Sequence, residues 1–391
     1  MKYDFDKVID RRGTYTWKYD AALKVYPWPF ISMGMADMDF EVAEPISRAV
    51  KNVADWNLYG YSTTEAAEEF YPSICRFMRV HHELKLEPKE IRYVGGVIDA
   101  LRAAIRIFTE EGDGVIIQRP AYGNFTSAIQ QYSRKVVDNA LICDDNMYYT
   151  IDFEDLERKC SDPNNRLMVL CSPCNPVGRV WKQEELAEIC RITRKYNVVL
   201  FSDEIHCDLI RKGQKHITIF NATDDYSNLI MAAGGNKTFN CAGLHTAYVV
   251  IKDSFLMARF KKSFGNKSAS PFTIAAMTAA FNDGDEWLEQ VNEYIDGNFD
   301  FAVDYIHKNL PWVKVLKPEG TYMLWMDYSG SELEGEEVEH RINNIAHVIG
   351  NSGSQYDPKL DGRMQRFCIP VPRDVLRTAL ENIRNAFCDI D

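Results

Sequence analysis

The chain has 391 residues, room for roughly two or three domains at about 150 residues each. Its 46% hydrophobic and 26% charged content is that of a folded globular protein and excludes disordered, collagenous and fibrous classes. A net charge of −12 without a long basic run argues against nucleic acid as a partner, because such a surface repels phosphate backbones.

The opening, Met1 to Lys7, mixes acids with bases around no apolar segment, so it does not read as a secretory signal. No run of about 18 apolar residues suggests a membrane span. The ten cysteines are scattered, which in a chain this long points to reduced thiols and a cytoplasmic setting. Cys171 and Cys174 form one CxxC. No second pair or nearby His pair completes a zinc site, and Pro173 with Asn175-Pro176 reads as a turn, so no metal is expected.

From about residue 93 to residue 251, short apolar runs alternate with helical stretches, the pattern of an α/β unit with a mostly parallel sheet between helices. The strand candidates are 114–118, 167–171, 198–202, 229–233 and 247–251. Residues 183–195 carry Leu186, Ile189, Cys190 and Thr193 at helical spacing. After Ser270-Pro271 the texture changes. A helical run from Trp287 to about Lys308 leads to candidate strands 313–316 and 321–327, joined by Pro318-Glu319-Gly320 as an antiparallel hairpin. A strand at 366–369 and a last helix at 372–387 complete a smaller α+β unit, with which the first forty-odd residues are expected to pack.

In such sheets ligands sit at the carboxyl ends of strands. Asp203 ends one strand run, and Lys237 follows another across Gly234-Gly235-Asn236, so an acid and an amine would share one cleft. A lysine there can condense with a carbonyl, since burial lowers its pKa and the free amine is the nucleophile. On these two residues alone, a salt bridge at a strand end is the favoured reading. Gly234-Gly235-Asn236-Lys237-Thr238 superficially looks like a phosphate loop, but that motif needs Gly directly before Lys, and Asn236 breaks it. Cofactor-free chemistry on Cys174 or Cys207 lacks an evident partnered base.

The ordered series is more specific than its parts. It comprises Gly96-Val97-Ile98, Pro120-Ala121-Tyr122, Asn175-Pro176-Val177-Gly178-Arg179, Ser202-Asp203-Glu204-Ile205-His206 and Asn236 to Leu244 (NKTFNCAGL). With the opening Phe5 to Thr14 (FDKVIDRRGT) and Met35 to Phe40 (MADMDF), the chain resembles, over essentially its whole length, the fold-type I pyridoxal phosphate (PLP) enzymes of the class I/II aminotransferase family. The resemblance is greatest to the cystathionine β-lyase, or C-S lyase, branch.

That resemblance implies a seven-stranded sheet in a large domain, residues 48–286, and a small domain from residues 1–47 and 287–391. It implies a PLP-dependent lyase that performs α,β-elimination on L-cystathionine or related cysteine S-conjugates, with transamination of an amino acid as the alternative. It implies that Lys237 links covalently to PLP and then removes the Cα proton, that Asp203 faces the pyridine nitrogen, and that Tyr122 stacks on the ring. Asn175 matches the donor to the ring hydroxyl, and His206 stands beside these groups. The backbone of Gly96, Val97 and Ile98 at a helix start would hold the phosphate. Tyr61 would reach the phosphate of a second subunit, giving a homodimer with shared sites. Arg366 and the backbone at Ala36 would hold the substrate carboxylate, while Arg373 is read as serving the last helix. The chain departs from the family at Gly234, Asn236 and His245, where many relatives have Ser, Ser and Arg on the phosphate. Asn236 can still donate, but the phosphate set is thinner.

Overall fold

The computed structural model describes residues 3–265 and 267–390; Met1 and Lys2 of the opening segment lie outside the described residues. Seven strands build the main sheet: β1 Ile91–Gly95, β2 Gly114–Ile117, β3 Lys135–Asp138, β4 Asn165–Cys171, β5 Val199–Asp203, β6 Leu229–Gly234 and β7 Ala247–Val250. They lie in the order β1-β7-β6-β5-β4-β2-β3. All neighbours run parallel except those of β7, which is antiparallel to both β6 and β1. Strands in the middle of such a sheet are covered on both faces, so they read as continuous apolar runs rather than as alternation. Gly114–Ile117 and Leu229–Gly234 are buried at every position.

The five strand runs read from sequence match within one or two residues at each end. β1 and β3 were not resolved as separate runs. β1 carries Arg92 and Tyr93, and β3 is an edge strand opening with an exposed lysine, so neither has the apolar density of a central strand. Residues 183–195 form a helix over Gln183–Lys195, burying the four spaced residues together with Ile192.

The second unit has a four-stranded antiparallel sheet: β8 Lys314–Val315, β9 Met323–Asp327, β10 Asn351–Ser352 and β11 Met364–Cys368, in the order β8-β9-β11-β10. The hairpin is present, with Lys314 opposite Asp327 and Val315 opposite Met326. The long helix Asp285–Asn309 and the last helix Arg373–Ala386 of this unit pack against each other. The amino-terminal segment joins this unit through Ile31–Ser32, paired in parallel with Val348–Ile349. The boundaries expected at residues 47/48 and 286/287 fall inside the helices Glu44–Asp55 and Asp285–Asn309.

One loop ties the two units together. Residues 36–40 leave the Ile31–Ser32 strand and meet Asn240, whose side-chain oxygen accepts the Met38 N–H at 3.0 Å while its amide donates to the Met38 and Phe40 carbonyls. On the other side Arg11 forms ion pairs with Asp37 at 2.8 Å and Asp39 at 2.6 Å, and the buried Lys18 sits 3.0 Å from Asp39. Those contacts give the opening motif and Met35–Phe40 a shared structural purpose: both fix the loop that crosses above Lys237. Among the described residues no helix is long and apolar enough to cross a membrane.

Candidate active site

Register places the chemistry-bearing residues along one edge of the main sheet. Gly95 and Gly234 are both opposite Ala247, and Asp203 is opposite both Cys171 and Ala232. Neighbouring strands are about 4.8 Å apart, so these ends line a cleft that a small ring compound can span. Lys237 leaves β6 on a single helical turn, Gly235–Thr238. Gly234 is required there. A Cβ at this position would lie 2.3 Å from the Thr246 carbonyl oxygen, which explains why Ser is not found at the first departure from the family.

The Lys237 ammonium nitrogen donates to the Ala36 carbonyl at 2.6 Å, and the Tyr322 hydroxyl donates to the same oxygen at 2.9 Å. Burial lowers the lysine pKa from its ordinary value, with Asp37 and Asp203 opposing that trend. A lowered pKa favours the free amine, the form that attacks a carbonyl and accepts a proton. Ala36 was expected to approach the substrate. In this structure its carbonyl is the resting partner of the lysine.

Asp203 is buried, and burial pushes its carboxyl up to about 7. Its one hydrogen bond is accepted from the Ile205 N–H at 3.1 Å, and it forms no ion pair among the described residues. A buried carboxylate without a cation is costly, so the site is set up to receive a positively charged group. A protonated pyridine nitrogen meets that need. His206 is also buried, its Nδ1 has no partner, and burial holds its pKa down to about 3. It stays neutral at physiological pH, its ring edge-on to Tyr322 at 5.6 Å.

Asn175 and Arg366 meet across the two units. Arg366, on β11, donates through Nη1 to Asn175 Oδ1 at 3.2 Å and through Nη2 to the Gly34 carbonyl at 2.5 Å and Asn351 Oδ1 at 2.7 Å. It lies over the Tyr356 ring at 5.1 Å, and its Nε is buried without a partner. A carboxylate would replace some of these neutral acceptors with stronger charged ones. Tyr122, at the start of the helix Gly123–Gln131, is half-buried, with Arg366 and Asp203 both close enough to perturb its hydroxyl. Arg373 is elsewhere, donating to Asn298 Oδ1 at 2.6 Å and thus joining the last helix to the long one.

At the other end of the cleft, Gly96 caps the helix Val97–Phe108, and no side chain satisfies its first N–H groups. A Cβ on Gly96 would meet only Asp99 Oδ2 at 3.9 Å, so space remains in front of those donors. This suits a phosphate at a helix start. The Asn236 side-chain oxygen accepts from the Thr246 N–H at 2.8 Å and from the Thr246 hydroxyl, which fastens the turn carrying Lys237 and leaves the amide N–H groups to donate. His245 is exposed and in left-handed conformation, where it ends a turn. Tyr61 is fully exposed, beside Trp56, Leu58 and Tyr59, and does not join this cleft within one chain.

The cleft therefore brings together Lys237, Asp203, Asn175, Tyr122, His206, Arg366, Ala36 and the Gly96 to Ile98 backbone. The residue types fit PLP: an amine, an uncompensated carboxylate, an aromatic side chain and an open helix start. Tyr322, Asn351, Gly34 and Tyr356 were missed. They lie in the small unit or its loops, where local sequence carries no sign that a strand or turn faces a cleft built by another unit.

The model of the family "Aminotransferase class I and II" matches residues 29–383. The chain is 35% identical over 367 residues to cystathionine beta-lyase PatB of Bacillus subtilis strain 168, covering 93% of this chain and 94% of that protein. Among solved structures it is similar to a PLP-bound protein of Clostridium difficile 630 provisionally named an aminotransferase, at 36% identity and a TM-score of 0.95, covering 99% and 100% of the two chains. It is likewise similar to the PLP-bound C-S lyase of Staphylococcus hominis, at 31% identity and a TM-score of 0.93, covering 99% and 98%.

Two outcomes follow from the site's electrostatics. Because the folded-state pKa of Asp203 lies above its ordinary 3.8, the unfolded chain loses this proton first, and stability falls as pH rises from about 4 to about 7. Stripped of cofactor, Asp203→Asn should melt higher than the stripped parent, the gap growing between pH 5 and pH 8 in a thermal scan. An equal gap at both pH values would contradict an uncompensated carboxylate. Arg366→Ala should lower kcat/KM for an amino-acid substrate about 100-fold, ~3 kcal/mol, with KM rising, as read in steady-state kinetics.

Proposed function

Since this chain belongs to the class I and II aminotransferase family, we propose that it is a PLP-dependent carbon–sulfur lyase. It converts L-cystathionine or related cysteine S-conjugates to pyruvate, ammonia and a thiol. The observation that carries this reading is the convergence of a half-buried lysine amine, a buried carboxylate without a cation and a buried arginine, drawn from two units onto one cleft. The elimination branch is supported by the relatives: PatB is named a cystathionine beta-lyase and the S. hominis protein a C-S lyase.

When bound, PLP supplies an electron sink that makes the substrate Cα proton acidic. Asp203 would face the ring nitrogen and favour its protonated form, and Asn175 would donate to the ring hydroxyl. Tyr122 would stack on the ring, and the N–H groups of Gly96, Val97 and Ile98 would hold the phosphate. Arg366 grips the α-carboxylate and so fixes which bond at Cα stands toward Lys237. Lys237, whose pKa burial lowers toward the free-amine form, would link to the cofactor aldehyde, give way to the substrate amine and accept the Cα proton. The electron pair left at Cα would form the Cα–Cβ double bond as the Cβ–S bond breaks with its own pair leaving on sulfur. The thiolate would take the proton held by Lys237, whose amine would then displace the unsaturated amine, and this gains water to give pyruvate and ammonia. The Ala36 carbonyl, itself fixed by the Tyr322 hydroxyl, would receive the lysine amine between these steps.

The reading includes a homodimer and a cytoplasmic setting. Tyr61 stands on an exposed apolar patch beside a cavity of about 910 Å³, which suits burial by a second copy that receives its hydroxyl. All ten cysteines are free, in keeping with a reducing compartment. Transamination uses the same residues and is the second reading, favoured by the name of the C. difficile neighbour. Purified protein given L-cystathionine without keto acid should release pyruvate and free thiol in equal amounts. Amino transfer that depends on added keto acid, with no thiol, would overturn the lyase assignment.

A further inference from the structure

Behind the segment Asp203 to Asp208 lies a second cavity of about 610 Å³, lined by His82, Cys207, Asp208 and His216, with Asp285 and Glu289 among its remaining walls. It holds none of the residues assigned above. Two histidines share an arrangement there. His82 Nε2 is 2.6 Å from Asp208 Oδ1, and His216 Nε2 is 2.9 Å from Glu204 Oε2. In both, Nδ1 is buried and without a partner. The two rings are 5.7 Å apart and nearly perpendicular. For His216 the Glu204 carboxylate keeps the proton on Nε2 and leaves Nδ1 with its lone pair, as in carboxylate-backed histidine ligands, whereas Asp208 is itself a candidate ligand, so a cation shared by His82 and Asp208 takes the place of the proton between them.

The Cys207 sulfur, an Asp208 carboxylate oxygen and a His82 ring nitrogen lie within 4.8 Å of one another. Tetrahedral zinc, with bonds of about 2.0–2.3 Å, needs ligand atoms about 3.3–3.8 Å apart, so side-chain shifts of about an ångström close these three, and His216, whose ring is 5.7 Å from that of His82, stands outside this group as the fourth candidate. Both histidines are about 5% exposed and Cys207 is 3% exposed. Asp208 is further fixed by the Thr238 hydroxyl, which donates to its other oxygen at 2.6 Å. The acids on the cavity wall favour entry of a cation. Lys215, also on the wall, is engaged by Glu83 at 2.7 Å.

We propose that His82, Cys207, Asp208 and His216 form a binding site for one borderline-soft divalent cation of the zinc class, separate from the PLP cleft. Nitrogen, sulfur and a single carboxylate select zinc over magnesium or calcium. The sequence hides the site because its members stand at 82, 207, 208 and 216, without the paired spacing of a zinc motif. Binding displaces the Cys207 thiol proton to solvent, so affinity falls with falling pH. Thr238 directly follows Lys237, so the cation also braces the turn that carries the lysine.

The test uses the holoenzyme, cleared of metal with a chelator, loaded with ZnCl2 and desalted. Bound zinc is counted by mass spectrometry of the elements. The parent should keep one zinc per chain and melt at a higher temperature with it, while Cys207→Ser and His216→Gln should each keep less than a tenth as much. Zinc absorption spectroscopy of the parent should show one sulfur and at least one imidazole nitrogen, a readout that needs no variant. A parent that keeps no zinc, a variant that keeps as much as the parent, or a metal shell without sulfur overturns the proposal. Because none of these readouts depends on turnover, failure here is distinct from failure of the lyase reading.

Discussion

Removing an amine and a carboxylate from water at adjoining strand ends is the constraint around which this molecule is organised. Each ion loses several kcal/mol of hydration when buried, and the two are not paired with each other. The amine responds by favouring its neutral form, and the carboxylate by retaining its proton to near neutrality. An enzyme of this family turns both responses to use, because a neutral amine is a nucleophile and an unmatched carboxylate attracts a cationic ring.

Placing those groups requires both units. β5 and β6 bring Asp203 and the turn of Lys237 to one edge, where Gly234 allows the backbone to pass close to Thr246. The small sheet contributes Arg366 and, through the loop anchored by Arg11, Lys18 and Asn240, the carbonyl that receives the lysine. The loop is held by ion pairs on one face and amide hydrogen bonds on the other. Such a double anchorage fixes a backbone oxygen more firmly than a free loop could.

The main sheet was legible in the sequence because central parallel strands must be apolar throughout and are followed by polar turns at the ligand edge. Lys237 and Asp203 stood out for that reason, each just past or at a strand end, while Asn175 was assigned through the resemblance. Tyr322, Asn351 and Tyr356 did not, since their nearness to the cleft depends on how the second unit docks and no local pattern encodes it. Asn236 has a second part that resemblance did not supply: its oxygen accepts from Thr246 and so holds the turn of Lys237. The opening motif was recognisable only as resemblance; its physical content, an arginine bridging Asp37 and Asp39, needed three dimensions.

The central claim is that one lysine out of many carries the cofactor. Reduction of the purified holoenzyme with borohydride, followed by proteolysis and mass mapping, measures this directly. The account predicts a pyridoxyl label confined to the peptide bearing Lys237. A label on any other lysine, or a cofactor that washes away unreduced, would contradict it.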